Sequence, residues 1–117
     1  MTKSSIRGVL GEKVKNHVAS FFEITTKELE SESRKRNLID ARMICYKLLK
    51  DIGCDDVEIG ILFNRDRASV WAALKTFAAL YETYELFAFD FNTCESALTG
   101  LLSQIKINND GNKKENA

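Results

Sequence analysis

Residues 55–70 read Asp55-Asp56-Val57-Glu58-Ile59-Gly60-Ile61-Leu62-Phe63-Asn64-Arg65-Asp66-Arg67-Ala68-Ser69-Val70. Asp55 or Asp56 stands at an N-cap position, where a carboxylate accepts from the exposed amides of a first helical turn. Val57, Ile59, Gly60, Leu62 and Phe63 then make a short helix, and Asn64, a residue type that tolerates left-handed backbone, ends it. A new helix starts near Asp66, whose charge suits the positive end of the dipole, and runs through Val70, Ala73, Leu74, Phe77, Ala78 and Tyr81. Two helices joined by so tight a turn form a helix-turn-helix.

Upstream, Leu38, Ala41, Ile44, Cys45, Leu48, Leu49 and Ile52 keep one apolar face, and Gly53 follows where a left-handed C-terminal cap is wanted. This long helix is the expected core. Thr25 followed by Glu28 has the capping-box form and starts a short helix from Thr26 to about Ser31. Before it, Val14, Val18, Phe21 and Phe22 mark a helix over residues 12–22, beginning after Gly8 and Gly11, with Lys13, Lys15 and Asn16 on its polar face. Downstream, Phe87, Phe91, Cys94, Leu98, Leu101 and Ile105 mark a last helix. The expected organisation is a lead over 1–11, one helical domain over 12–106 and a disordered polar tail over 107–117.

Composition agrees with an all-α bundle: the 117 residues contain no proline, the strongest helix breaker. Three cysteines, Cys45, Cys54 and Cys94, are odd in number and scattered, which argues against a secreted disulfide framework and for small apolar core residues. Charged side chains interrupt every apolar run, even Ala68 to Tyr81 at Lys75, so no membrane span is expected. A cytoplasmic protein is expected, with the nucleoid as the place where a DNA-binding role would put it. The lone His17 has no ligand cluster around it in sequence, so no metal is expected, and no nucleophile, base and acid can be assembled into an enzyme. No cofactor is expected, and the absence of a GxxxxGK[ST] loop argues against nucleotide binding.

Basic side chains gather next to the helix-turn-helix. Arg34, Lys35 and Arg36 precede the long helix, Arg42 and Lys50 project from it, and Arg65 opens the second helix of the motif. All six are candidate phosphate-facing residues. At the N-terminal end of that helix, Arg67 can pair bidentately with guanine, Asp66 can accept from cytosine, Ala68 can touch a thymine methyl, and Ser69 completes the group. Double-stranded DNA is the partner this chemistry suits. Against it stands the net charge: 17 Lys and Arg balance 17 Asp and Glu, whereas DNA-binding domains are usually basic.

From about Val14 to Leu98 the sequence resembles the C-terminal DNA-binding domain of the bacterial replication initiator DnaA. The residues that carry the resemblance are Val18-Ala19-Ser20-Phe21-Phe22-Glu23-Ile24, Arg34-Lys35-Arg36 before Ala41-Arg42, Glu58-Ile59-Gly60, Phe63, and Arg65-Asp66-Arg67-Ala68-Ser69-Val70. The resemblance implies a Trp-repressor-like helix-turn-helix that reads duplex DNA through both grooves, in replication initiation or its regulation. At matching positions it implies Arg34 in the minor groove, Arg42 and Lys50 on phosphate, and Asp66, Arg67, Ala68 and Ser69 in the major groove. The chain departs from the pattern in having Asn64 alone where the family has two glycines, and Arg67-Ala68-Ser69 where it has His-Thr-Thr. The resemblance therefore does not extend to a cognate site identical to the initiator's.

Competing structural roles attach to several of these residues. Arg42 is equally well suited to pair with Asp40 or Glu58, and Trp71 suits packing in or beside the core better than a nucleic-acid stacking platform. Tyr84, Phe87, Phe89 and Phe91 form a candidate surface for a protein partner or a homodimer, since Phe89 points away from the face that Phe87 and Phe91 share. A protein-interaction module that kept the fold, using these aromatics or the acidic stretch from Asp51 to Glu58, is the alternative to DNA binding.

Overall fold

In a computed structural model the protein is a bundle of six helices, described over residues 3–115 and, for side chains, over residues 8–100. They are α1 (Lys3–Phe22), α2 (Thr26–Glu30), α3 (Arg36–Asp51), α4 (Asp56–Phe63), α5 (Arg67–Thr83) and α6 (Glu85–Glu115), with no strand among the described residues. The expected tail, residues 107–117, lies outside the residues whose side chains are described.

Local chemistry sets most of the boundaries. Thr25 and Asp55 each accept from the amide three residues on, while Glu28 and Glu58 reach back to close capping boxes at the starts of α2 and α4. Asp66 caps α5 by accepting from the Ser69 amide at 2.7 Å. Asn64 closes α4 in the left-handed region, at φ 56° and ψ 47°, as its amide chemistry allows.

Two helices begin earlier than the periodicity suggests. α3 starts at Arg36, because the Lys35 carbonyl already accepts from Leu38 and Ile39. α1 starts at Lys3 and passes through Gly8 and Gly11, which read as breakers. Gly11 sits where α1 crosses α4: a Cβ there would lie 2.5 Å from Leu62 Cδ1, so the glycine permits the approach of the two helices.

α3 is the central element, packed against α1 and α5. Val14 and Val18 from α1, Ile44, Leu48 and Leu49 from α3, Ile59 and Phe63 from α4, and Val70 and Phe77 from α5 form one core with Phe87, Phe91, Cys94 and Leu98 of α6. All three cysteines are buried. Burial pushes the Cys94 thiol up to about 12 and the Cys45 thiol higher still, as suits core residues rather than nucleophiles.

Lys15 was placed on the polar face of α1 but is 2% exposed. Its ammonium lies 3.4 Å from Glu12 and 3.3 Å from Glu30, and 5.0 Å from the centre of the Phe63 ring. It ties α1 to α2 over an aromatic face. Among the described residues no helix is long and apolar enough to cross a membrane, and no group of three or more His, Cys, Asp or Glu side chains is placed to hold a metal ion.

Candidate nucleic-acid interface

The α2–α3 connection and the turn between α4 and α5 meet at one backbone atom. The Ser31 carbonyl accepts from Arg42 Nη2 at 2.7 Å and also from Arg65 Nη2. Arg42 further donates from Nε to Leu29 O at 2.7 Å, from Nη1 to Ser33 O at 2.7 Å and from Nη2 to Glu28 O at 3.1 Å. Arg65 adds bonds from Nη1 to Phe63 O at 2.9 Å and Glu30 O at 3.3 Å. A planar guanidinium with five donors is suited to collecting carbonyls that no helix satisfies. Burial first, and then the neighbouring Arg65 charge, pull the Arg42 guanidinium below its usual value.

These contacts correct the expectation for Arg42. At 7% exposure its donors are spent on the loop, so it does not stand out to meet a phosphate, and its partners are carbonyls rather than the carboxylate of Asp40. Arg65 is likewise drawn inward onto the connection. Both arginines brace the loop that carries Arg34.

Within the turn, Arg65 N donates to Gly60 O at 2.8 Å. A Cβ on Gly60 would collide with the Arg65 carbonyl, so the tight turn depends on that glycine. Asn64 supplies the left-handed residue of this turn and Gly60 the room for it.

The remaining site residues fall into two groups. Arg34, Lys35 and Arg67 are exposed and have no acidic partner among the described residues. Arg36 is paired with Asp40 at 3.1 Å and Lys50 with Asp56 at 2.8 Å, both at the surface. Arg34, Arg42, Lys50 and Arg67 therefore make no continuous run of free positive charge: Arg42 is taken up by burial and Lys50 by a carboxylate. Ala68 and Ser69 are exposed beside Arg67. The Asp66 carboxyl is held below its usual value by its hydrogen bonds from Ser69, so it is an ionised cap as well as an exposed acceptor.

Arg34 and the start of α5 face a common cleft of about 560 Å³ between α3 and α5, lined also by Glu32, Tyr46, Asn64, Ser69 and Thr76. On the other side of the α3–α5 crossing lies a second depression of about 620 Å³, which includes Lys47, Lys50, Trp71, Lys75 and Tyr81. Trp71, expected in or beside the core, is 53% exposed, with Lys75 Nζ 4.1 Å from its ring centre. The sequence favours packing over nucleic-acid stacking for Trp71 and does not single out Lys75, although both follow Arg67 at four-residue spacing.

The aromatic surface needs a second correction. Phe87 and Phe91 are 6% and 4% exposed, packed edge-on against Phe77 at 5.4 and 4.8 Å between ring centres. Tyr84 and Phe89 are exposed, together with Leu86. The helical period divides the series, because α6 begins at Glu85 and turns Phe87 and Phe91 inward together.

Comparison with known proteins agrees with this architecture. The sequence profile of the bacterial dnaA protein helix-turn-helix matches residues 11–76, more than half of the chain. The chain is also 29% identical over 90 residues to chromosomal replication initiator protein DnaA 2 of Chlamydia pneumoniae. That alignment covers 76% of this chain and 20% of the relative, so the chain spans about a fifth of the relative's length.

Proposed function

The chain belongs to the bacterial DnaA helix-turn-helix family, and on that premise we propose that it binds double-stranded DNA with a sequence preference, in replication initiation or its regulation and without ATPase activity of its own. Arg67, Ala68 and Ser69 enter the major groove from the start of α5, with Asp66 at their edge. Arg34 enters the adjacent minor groove, and Lys35, Arg36 and Lys50 meet phosphates. Arg42 and Arg65 act on the DNA indirectly, by fixing the loop. The supporting observation is that Arg34 and Ser69, 35 positions apart, line one cleft because two guanidiniums bind the loop to the turn.

The test is fluorescence anisotropy with a labelled random-sequence duplex pool and an initiator-box duplex, at low and near-physiological salt. Binding weakens as salt rises, as phosphate contacts require. Arg34→Ala weakens it for both duplexes, and Arg67→Ala chiefly erases the difference between them. No binding at low salt overturns the proposal. The second reading, a protein-interaction module, draws on the exposed Tyr84, Leu86 and Phe89 and on the neutralisation of Lys50 by Asp56. It predicts self-association or partner capture that Phe89→Ser abolishes.

A further inference from the structure

Resting on that DNA-binding reading, we infer that Trp71 and Lys75 carry the duplex interface along α5 beyond its first turn, with the indole packed on the sugar–phosphate wall of the major groove. Arg67, Trp71 and Lys75 stand at i, i+4 and i+8, so they form one column on a single side of the helix. All three are exposed, whereas Val70 and Phe77 of the same helix are buried. The Trp71 ring is therefore not needed to fill the core.

The chemistry of the column matches a polyanion that also has apolar surface. Arg67 and Lys75 have no acidic partner among the described residues, and the Lys75 ammonium rests over the indole face, 4.1 Å from its centre. Duplex DNA offers phosphate oxygens to the ammonium and to the indole N–H, and deoxyribose and thymine methyl groups to the ring. Beside the column, Lys47 and Lys50 of α3 line the same depression. They are paired with Asp51 at 3.0 Å and Asp56 at 2.8 Å, and these surface pairs are weak enough to exchange for phosphate. The column is continuous with Arg67 and lies across α5 from the cleft that holds Arg34. The two flanks of α5 would then face the two walls of one groove.

Trp71 is the chain's one tryptophan, so emission excited at the red edge, where the three tyrosines do not absorb, reports on this column alone. The full chain is titrated at low salt with the random-sequence pool and the initiator-box duplex. Labelled-duplex anisotropy and acrylamide quenching of Trp71 are read from the same samples. Binding is expected to shield Trp71 from acrylamide. Trp71→Ala is expected to weaken binding roughly tenfold, with Trp71→Phe recovering part of the loss because it keeps the ring and loses the N–H donor. Lys75→Ala is expected to weaken binding of both duplexes alike and to lower the salt slope by about 1. Circular dichroism checks that the variants are folded. If anisotropy reports binding while Trp71 stays as quenchable as in the free protein and both Trp71 variants bind at full strength, the column lies outside the interface and the DNA-binding reading survives without it. If neither duplex binds at low salt, both fall.

Discussion

The two ends of α5 are held by different physics. At its start, Asp66 accepts from the Ser69 amide, and the preceding Arg65, with Arg42, grips the α2–α3 connection through backbone carbonyls. Toward its end, Phe77 packs against Phe87 and Phe91, and Tyr81 stands 5.8 Å from the Phe91 ring. Guanidinium–carbonyl bonds weaken steeply when bent or stretched, so they fix where the turn and the Arg34 loop sit. Ring burial is proportional to area and tolerant of direction, so it holds the helix down without specifying the site. The positioning end and the stabilising end of one helix are thus separable by mutation.

The largest effect belongs to the aromatic end. Phe91→Ala is expected to destabilise the fold by about 3–5 kcal/mol in chemical denaturation, while the folded fraction keeps its duplex affinity. Arg42→Met is expected to cost about 1–3 kcal/mol by taking from the carbonyls of Leu29 and Ser33 their guanidinium donor and leaving Ser31 O to Arg65 alone, and to weaken duplex binding as well. Equal losses of affinity in the two variants would break the distinction between the ends. Gly60→Ala sharpens it, because the added methyl group collides with the Arg65 carbonyl and must shift the turn. We expect roughly 1–3 kcal/mol of destabilisation, with a loss of sequence preference, both measurable on one preparation.

The smallest effect is at the Asp66 cap. Its carboxyl titrates below the ordinary 3.8, so its stabilisation is present above that value and fades as pH falls through the lower folded-state value. Asp66→Asn keeps an acceptor but cannot ionise. The natural protein should therefore hold a small advantage in thermal midpoint at neutral pH, and the advantage should begin to shrink near pH 3.8 and vanish once the pH is below the folded-state value. An advantage that persists unchanged there would show that the charge on the cap is irrelevant.

Several misplacements have a common cause. Lys15, Arg42 and Arg65 look like surface cations in the sequence, yet each is turned inward by partners on other elements: Glu30 for Lys15, the carbonyls of the α2–α3 connection for the two arginines. Trp71 erred the other way, since an aromatic residue between Val70 and Leu74 suggests burial and only the packed orientation of α5 leaves it in water. For the aromatic series the four-residue spacing of Phe87 and Phe91 already sets them on a face apart from Phe89, but which of the two faces is buried depends on how α6 packs against Phe77.

The sequence by itself determined the helices and most of their ends, the helix-turn-helix, the family, and the exposed start of α5. Caps, the left-handed Asn64 and the apolar period act over one to four residues, so they are written locally. Only the tertiary structure decided which cations are free. The carbonyls that occupy Arg42 lie 9 to 14 residues away, and the Ser31 carbonyl reached by Arg65 lies 34 residues away. No local pattern marks such pairs, because a guanidinium is drawn to whatever unsatisfied carbonyls the packed chain brings within its reach.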